Sequence, residues 1–257
     1  MFNFKKKYGQ NFLSDKNLLK AIANDAEVTK KDVVLEIGAG AGALTQELSL
    51  LAQKVVAFEI DTDLKDELLS LNLPNVEFIF QDFMKVNLKD FEKDITSFKV
   101  VANLPYYITT PIIFKILEES KKVNSLTIMV QKEVAERIVA ENSGKDYGIL
   151  SVMIKFYGEA QISRIVKRQM FNPMPNVDSA VVVIKIDRDK YSDIDKDKFS
   201  KFVKTAFSMR RKTLLNNLSS LYSKDILKAK FDEKFLTRRA ESLSINEFIE
   251  TYKKLEK

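Results

Sequence analysis

Three of the seven glycines in this 257-residue chain fall within five positions, as Gly38, Gly40 and Gly42. They lie inside the stretch VVLEIGAGAGALT at residues 33–45, between a run of apolar residues and the sequence Ala-Leu-Thr-Gln-Glu-Leu. This order predicts a buried strand, a tight turn and the first turn of a helix, as in a βα nucleotide-binding unit. Glycine tolerates positive φ angles and lets the backbone come close to a ligand. The stretch therefore favours an α/β fold with a cofactor site at the end of this strand.

The glycines alone leave the ligand open. A sharp strand-to-helix connection in an α/β protein without a cofactor would use the same residues. The pattern Gly38-x-Gly40-x-x-Ala43 matches the relaxed dinucleotide fingerprint, and Gly38-x-Gly40-x-Gly42 suits the turn that binds S-adenosylmethionine (SAM) equally well. Residues further along the chain are needed to distinguish a dinucleotide site, a SAM site and a turn without a cofactor.

Two acidic residues follow at the ends of the next predicted strands. Glu59 ends the apolar run at residues 55–58 and lies twenty-one positions after Gly38. A carboxylate there can accept hydrogen bonds from both hydroxyls of a ribose. Asp82 follows the run at residues 76–80, where it can accept from an adenine amino group or cap a helix.

The most specific motif is Asn103-Leu104-Pro105-Tyr106, which follows a fourth predicted strand. An exocyclic amine is planar and a poor nucleophile. Its nucleophilicity increases when hydrogen-bond acceptors hold both of its hydrogens. The Asn103 side-chain oxygen and the Leu104 carbonyl can do this. Tyr106 offers a ring on which a flipped-out base can stack. The alternative is a simple turn with an exposed aromatic side chain.

Composition excludes several kinds of chemistry. The chain has no cysteine and no histidine, which excludes disulfides, a Cys nucleophile and a Ser-His-Asp triad, and leaves no expectation of a metal site. The basic N-terminus is not followed by an apolar segment, and no apolar run approaches membrane-spanning length. We therefore expect a cytoplasmic protein that does not enter a membrane.

Charge is concentrated in one segment. Residues 196–239 contain 13 Lys and Arg against 4 Asp and Glu, a net charge of +9, whereas the whole chain carries +6. A solvated helical face is the ordinary explanation, but this excess favours a polyanionic partner such as nucleic acid. Within it, Arg210, Arg211 and Lys212 are expected to lie on a helix whose buried side is marked by Phe207 and Leu214.

Taken in order, six motifs resemble those of the SAM-dependent ribosomal RNA adenine N6,N6-dimethyltransferases of the small-subunit type. They are VVLEIGAGAGALT, FEID, QDF, NLPYYIT, FNPMPNVDSAVV and FSMRRKTLLNNL. The macrolide-resistance methylases of large-subunit RNA share the first four motifs and resemble the last two less. Ala39 and Ala41 depart from the proline and leucine that are frequent in the family's turn, which concerns turn rigidity and not chemistry.

The resemblance implies a cofactor, a substrate and a set of site residues. The cofactor is SAM, and the substrate is two adjacent adenosines in a 3′-terminal loop of small-subunit RNA, in an immature subunit bound by a monomeric enzyme. The implied catalytic residues are Asn103, Leu104, Tyr106 and, opposite Tyr106, Phe171. The cofactor-binding residues are Asn11, Leu13, Gly38, Glu59, Asp82 and Asn103, and the RNA-binding residues are Lys5, Lys6, Lys7, Arg210, Arg211 and Lys212.

The expected architecture is a Rossmann-like α/β methyltransferase domain over residues 1–187, with a seven-stranded, mostly parallel sheet, followed by a helical RNA-binding domain over residues 188–257. Other functions stay open at this point. They are a nicotinamide oxidoreductase, a large-subunit RNA methylase, and a non-catalytic nucleic-acid-binding factor built on the same fold. A role as an assembly checkpoint on the small subunit is compatible with enzymatic activity and also stays open.

Overall fold

The computed structural model describes residues 12–13 and 15–256. A seven-stranded sheet dominates it. Its strands are β2 (Val33–Ile37), β3 (Lys54–Glu59), β4 (Val76–Phe80), β5 (Phe98–Asn103), β6 (Val123–Gln131), β7 (Gly158–Val166) and β9 (Ser179–Ile186). Their order across the sheet is β4-β3-β2-β5-β6-β9-β7. The first five strands in this order run parallel, and β9 pairs antiparallel with β6. The predicted fold class is confirmed.

The central strands are buried on both faces. Consecutive residues of β5, from Val100 to Ala102, are completely enclosed, as are Val34 and Leu35 of β2. Continuous apolar runs of this kind are typical of parallel strands that have other elements packed on both faces. Because the strands are parallel, the polar residues that end them lie at the same edge of the sheet.

Helices follow most of the parallel strands. The predicted helix over residues 15–26 is confirmed as α1, and the Asp15 carboxylate caps it by accepting from the Leu18 amide at 2.9 Å. The helices as far as the middle of the chain are α1 (Lys16–Asp25), α2 (Ala43–Leu51), α3 (Lys65–Ser70), α4 (Leu88–Phe91), α5 (Thr109–Glu119), α6 (Lys132–Val139) and α7 (Ile149–Tyr157).

A second, two-stranded sheet joins distant parts of the chain. Its strands are β1 (Phe12–Leu13) and β8 (Phe171–Asn172), which pair antiparallel so that Leu13 lies opposite Phe171. Both of these residues belong to the main apolar core, together with residues of α1, α2 and the large sheet. The sequence pattern does not predict this pairing, because two-residue strands carry no periodicity.

The chain packs into two compact units. The first contains the described residues up to Ala135 together with Ala160–Ile186, and the second contains Glu136–Glu159 and the chain from Asp187 onward. The second unit thus includes α7, which the sequence analysis assigned to the first domain. The proposed functional division into residues 1–187 and 188–257 stays a prediction.

The second unit is helical after the sheet ends. Its helices from Lys196 onward are α8 (Lys196–Ala206), α9 (Leu214–Leu218), α10 (Lys224–Lys230), α11 (Glu233–Leu236) and α12 (Ile245–Glu256). Its core is aromatic: the Phe156 and Phe199 rings stack with 4.3 Å between their centroids, and Phe202 packs against Phe248. The predicted helical character of this region is confirmed. None of the helices in the described part of the chain has the length and apolar content needed to cross a membrane.

Candidate active site

The glycine turn joins β2 to α2 through three residues with positive φ angles. The φ values are 80° at Gly38, 57° at Gly40 and 78° at Gly42, a region that side-chain-bearing residues rarely adopt. The amides of Gly38 and Ala39 both donate to the Phe58 carbonyl, at 2.8 and 3.1 Å. The turn is therefore held against the end of β3, and its residues 38–41 line a cavity.

Glu59 ties the glycine turn to the next loop. Its two carboxylate oxygens accept from the Gly40 amide and the Asp61 amide, each at 2.8 Å. The side chain is buried, and burial raises the pKa of Glu59 while these amides oppose the rise. Each carboxylate oxygen keeps a second lone pair, so Glu59 can accept from a ribose diol as well as from the backbone.

Asn103 lies next to the same turn. A Cβ added at Gly38 would lie 3.7 Å from the backbone oxygen of Asn103, and the register pairs Asn103 with Met129 of β6. The Leu104 amide donates to the Met129 carbonyl at 3.1 Å, while the Pro105 carbonyl accepts from Ile108 and from the Thr109 hydroxyl. These bonds fix the Asn-Leu-Pro-Tyr turn at the mouth of the site.

One cavity collects most of the predicted catalytic and cofactor-binding residues. It is lined by the glycine turn and by the residues that end β3 and β5. Leu13, Gly38, Glu59, Asn103, Leu104 and Tyr106 all contribute to its wall.

Glu36 also lines this cavity, although it is not among the residues predicted from the sequence. Its side chain is 1% exposed, and neither oxygen makes a hydrogen bond of normal geometry within the described residues. Burial raises the pKa of Glu36 to about 8, with the charge of Glu59 adding to the rise and the Thr45 hydroxyl opposing it. The signal in the sequence is a single carboxylate inside the otherwise apolar strand VVLEI, directly before the turn.

A model of the family described as ribosomal RNA adenine dimethylase matches residues 1–257. The chain belongs to this family. Relatives named Ribosomal RNA small subunit methyltransferase A include one from Clostridioides difficile strain 630, which is 47% identical over 262 residues, covering 96% of this chain and 89% of the relative. Another, from Clostridium botulinum strain Okra, is 44% identical over 257 residues, covering 96% of this chain and 92% of the relative.

Solved structures of similar proteins support the fold. A dimethyladenosine transferase from Plasmodium falciparum has a TM-score of 0.78 and 27% identity, covering 95% of this chain and 98% of that one. The 23S rRNA methyltransferase ErmE has a TM-score of 0.71 and 25% identity, covering 96% of this chain and 100% of that one. The dimethylase family consists of SAM-dependent methyltransferases acting on ribosomal RNA, so the predicted enzyme class and cofactor are confirmed. The nicotinamide oxidoreductase alternative is overturned by this membership.

The site residues of the dimethylase are suited to SAM. The glycine turn lines the cavity, Glu59 offers acceptors for a diol, and the buried Glu36 side chain lines the cavity without a standard hydrogen bond to the described residues. Carboxylates suit a cofactor that carries a sulfonium and an ammonium group, because either cation stabilises the charged form of a nearby acid. This donor set fits the cofactor that the family uses.

Two predicted residues stand apart from the cavity wall. Asp82 accepts from the Met84 amide at 2.9 Å and caps the short helix Phe83–Lys85, so the helix-cap alternative describes its observed contact. Phe171 is 5% exposed in the core beside Leu13. Stacking by Phe171 on a base would require its ring to become exposed. The cofactor role of Asp82 and the base-stacking role of Phe171 stay predictions.

The remaining predicted residues concern RNA. Asn11, Lys5, Lys6 and Lys7 lie outside the described residues. Arg210, Arg211 and Lys212 are exposed, as expected, but the helix predicted for them is wrong, because they lie in the turn between α8 and α9.

The buried Asn217 explains the position of this turn. Its side-chain amide donates to the Ala206 carbonyl at 2.6 Å and to the Met209 carbonyl at 3.2 Å. A side chain thus satisfies one carbonyl at the end of α8 and one in the turn that follows it, where no further helical turn supplies donors. The helix ends at Ala206 and leaves the three cations on an exposed turn.

Proposed function

We propose that this protein dimethylates the N6 amines of two adjacent adenosines in a 3′-terminal loop of small-subunit ribosomal RNA, during maturation of the subunit. The observation that carries the proposal is the Asn103-Leu104-Pro105-Tyr106 turn, held at the end of β5 in one cavity with Gly38 and Glu59. The small-subunit assignment rests on relatives of that name, at 44–47% identity over 96% of the chain. We propose that it acts as a monomer in the cytoplasm.

SAM, when bound, supplies a methyl group activated by its sulfonium centre. Glu59 and the glycine turn orient the cofactor, and no strong general base is needed, in agreement with a chain that has no histidine. The Asn103 side-chain oxygen and the Leu104 carbonyl accept the two amine hydrogens and keep the nitrogen lone pair directed into the cavity. A neutral amide at position 103 also accepts the single hydrogen of the monomethylated amine, which the second transfer requires.

Tyr106 provides the surface for the target base. Its ring lines the cavity beside Asn103, and base–aromatic stacking contributes about 1–3 kcal/mol per base. Unstacking an adenine from its neighbours costs a few kcal/mol, so such a surface offsets much of that cost.

RNA docking is assigned to the exposed cations of the turn between α8 and α9. Arg210, Arg211 and Lys212 are accessible to phosphate, and Arg210 makes one weak hydrogen bond, at 3.4 Å, to the Lys145 carbonyl. Exposed guanidinium and ammonium groups bind phosphates and make the affinity salt-dependent. We propose that Lys5, Lys6 and Lys7 contribute to the same docking.

The test is methylation of defined substrates. Purified protein is incubated with SAM and with small subunits that lack the modification, and mass spectrometry of the 3′ region of the RNA measures dimethyladenosine. Two adjacent dimethyladenosines are expected, formed about a hundredfold more slowly by an Asn103→Ala variant. Modification of large-subunit RNA alone would replace the proposal with the large-subunit alternative. SAM binding without any methyl transfer would favour the non-catalytic factor.

A further inference from the structure

Tyr106 is held in place by a residue outside the predicted site. The Tyr106 hydroxyl oxygen lies 2.7 Å from Ser179 Oγ, and either hydroxyl can donate. Ser179 is the first residue of β9 and is completely buried. Seventy-three positions separate the two residues in the chain, so only the folded sheet brings them together.

The sheet gives Ser179 a fixed position relative to the active-site turn. Ser179 pairs with Gln131 at the end of β6, and β6 also holds the active-site turn through the Leu104 amide and the Met129 carbonyl. Immediately before Ser179, the Asp178 carbonyl accepts from the Lys132 amide at 3.0 Å. The Ser179 hydroxyl is therefore attached to a rigid backbone that pairs with the same strand that supports Asn103.

The hydrogen bond to Ser179 limits how the Tyr106 side chain can rotate. A tyrosine side chain turns about two bonds, and its hydroxyl oxygen lies on the axis of the second, so holding this oxygen fixes the first torsion and with it the position and direction of the ring. Burial raises the pKa of the Tyr106 phenol, so the hydroxyl keeps its proton at neutral pH. The neighbouring Tyr107, by contrast, is 60% exposed.

We propose that Ser179 is a positioning residue, which holds the Tyr106 ring at the place where the target adenine stacks with its N6 amine at the Asn103 and Leu104 acceptors. This inference rests on the proposed function, because it concerns how the same base is placed. A displaced ring would still bind a base but would hold the amine away from its acceptors. Removal of the bond should therefore act on the rate of methyl transfer more than on cofactor binding.

A double-mutant cycle on the hydroxyl pair tests the inference. The variants are Ser179→Ala, Tyr106→Phe and the double variant, and Tyr107→Phe removes a tyrosine hydroxyl from the adjacent position as a matched control. The measurements are the single-turnover rate on small subunits, the Kd for SAM and the Tm. A neutral hydrogen bond contributes about 0.5–1.5 kcal/mol, so each single variant should slow single-turnover methylation about 2- to 13-fold.

The pattern across the variants distinguishes positioning from a structural role. If the inference holds, the double variant is no slower than the slower single variant, the Kd for SAM stays within about 2-fold, and Tyr107→Phe matches the wild type. The inference is overturned if the rate reductions of the two single variants multiply in the double variant. It is also overturned if Ser179→Ala and Tyr106→Phe both methylate at the wild-type rate. If Ser179→Ala does not fold, Tyr106→Phe removes the same bond from the other side without altering β9, and a wild-type rate in that variant overturns the inference.

A base-sensitive fluorophore gives a second readout. Replacing the target adenine of a short RNA with 2-aminopurine reports on how the base stacks when it is captured. Ser179→Ala and Tyr106→Phe should give the same altered emission, whereas Tyr107→Phe should give that of the wild type. Failure of the proposed function shows itself separately, as an absence of dimethyladenosine with the wild-type protein.

Discussion

The cavity in the first unit and the cationic turn in the second unit are built in opposite ways. The cavity is lined by two buried carboxylates, Glu36 and Glu59, and by a turn whose amides and side chains are fixed by hydrogen bonds. The turn between α8 and α9 is exposed and carries three consecutive cations. Chemistry needs groups held rigidly, since small displacements are costly, whereas binding a flexible polyanion needs accessible charge. Substitutions in one region should therefore leave the readout of the other unchanged.

The largest expected effect in the cavity concerns Glu36. Its pKa is raised from 4.5 to about 8 in the folded protein, so the folded state keeps a proton that the unfolded state releases. Stability should fall as pH rises from about 4.5 to 8 and level off above, by up to roughly 5 kcal/mol. The Tm of the wild type and of Glu36→Gln should be measured from pH 5 to 9. The variant should lose less Tm over this range, and parallel curves would contradict the buried, protonated carboxyl.

Comparing Phe171→Ala with Tyr106→Ala sharpens the description of the cavity. Phe171 is enclosed in the core, so truncation should lower the free energy of unfolding by about 3–5 kcal/mol. Tyr106→Ala should instead weaken capture of the target adenine by about 1–3 kcal/mol in single-turnover experiments, with SAM affinity largely retained.

Urea unfolding and single-turnover rates on both variants separate the two roles. If Phe171→Ala keeps wild-type stability but loses base capture, the ring is exposed in solution and the predicted sandwich with Tyr106 gains support.

Asn103→Ala should abolish most methyl transfer. Removing a preorganised acceptor of this kind raises the barrier by on the order of 3 kcal/mol, about a hundredfold in rate. Substantial SAM affinity should remain because Glu59 and the glycine turn are intact. Turnover and calorimetric SAM binding are the two measurements, and full turnover in the variant would remove Asn103 from the proposed chemistry.

Gly40→Ala tests whether the turn must keep its backbone conformation. The added Cβ would lie 2.8 Å from a ring carbon of Phe12, at a φ of 57°. Alanine in the left-handed conformation costs about 1–2 kcal/mol, so the free variant should relax to a shifted turn. Restoring the turn when SAM binds then costs this amount, and SAM affinity should fall about 5- to 30-fold. Gly148→Ala is the matched control, because a Cβ there meets nothing within 4 Å among the described residues. Equal SAM affinity in the two variants would show that the turn tolerates rearrangement.

The smallest effect is expected in the second unit. Replacing Arg210, Arg211 and Lys212 together with Gln should weaken RNA binding, because fewer phosphates are then neutralised. The slope of log K against log salt should become shallower by roughly one unit for each phosphate that the variant no longer binds. SAM affinity and Tm should not change. The competing idea is that these charges form ion pairs within the protein, in which case the Tm drops and the slope, corrected for folding, stays the same.

Local sequence determined much of this protein. Strand, glycine turn and helix followed from residues 33–45, because apolar runs and glycine conformations are properties of adjacent residues. Glu59 and Asn103 end parallel strands and line one cavity with the glycine turn, because the carboxyl ends of such strands share one edge of a sheet. Their roles toward the cofactor and the target base stay predictions.

Only the tertiary structure decided the contacts between distant segments. It paired Leu13 with Phe171 and enclosed the Phe171 ring, and it placed Ser179 against Tyr106. It also showed that α8 ends at Ala206, where the Asn217 side chain donates to the last carbonyl. The three cations of residues 210–212 therefore lie in a turn and not in the predicted helix. The physical reason is that burial and hydrogen-bond partners depend on which segments meet, and periodicity along the chain carries no record of that.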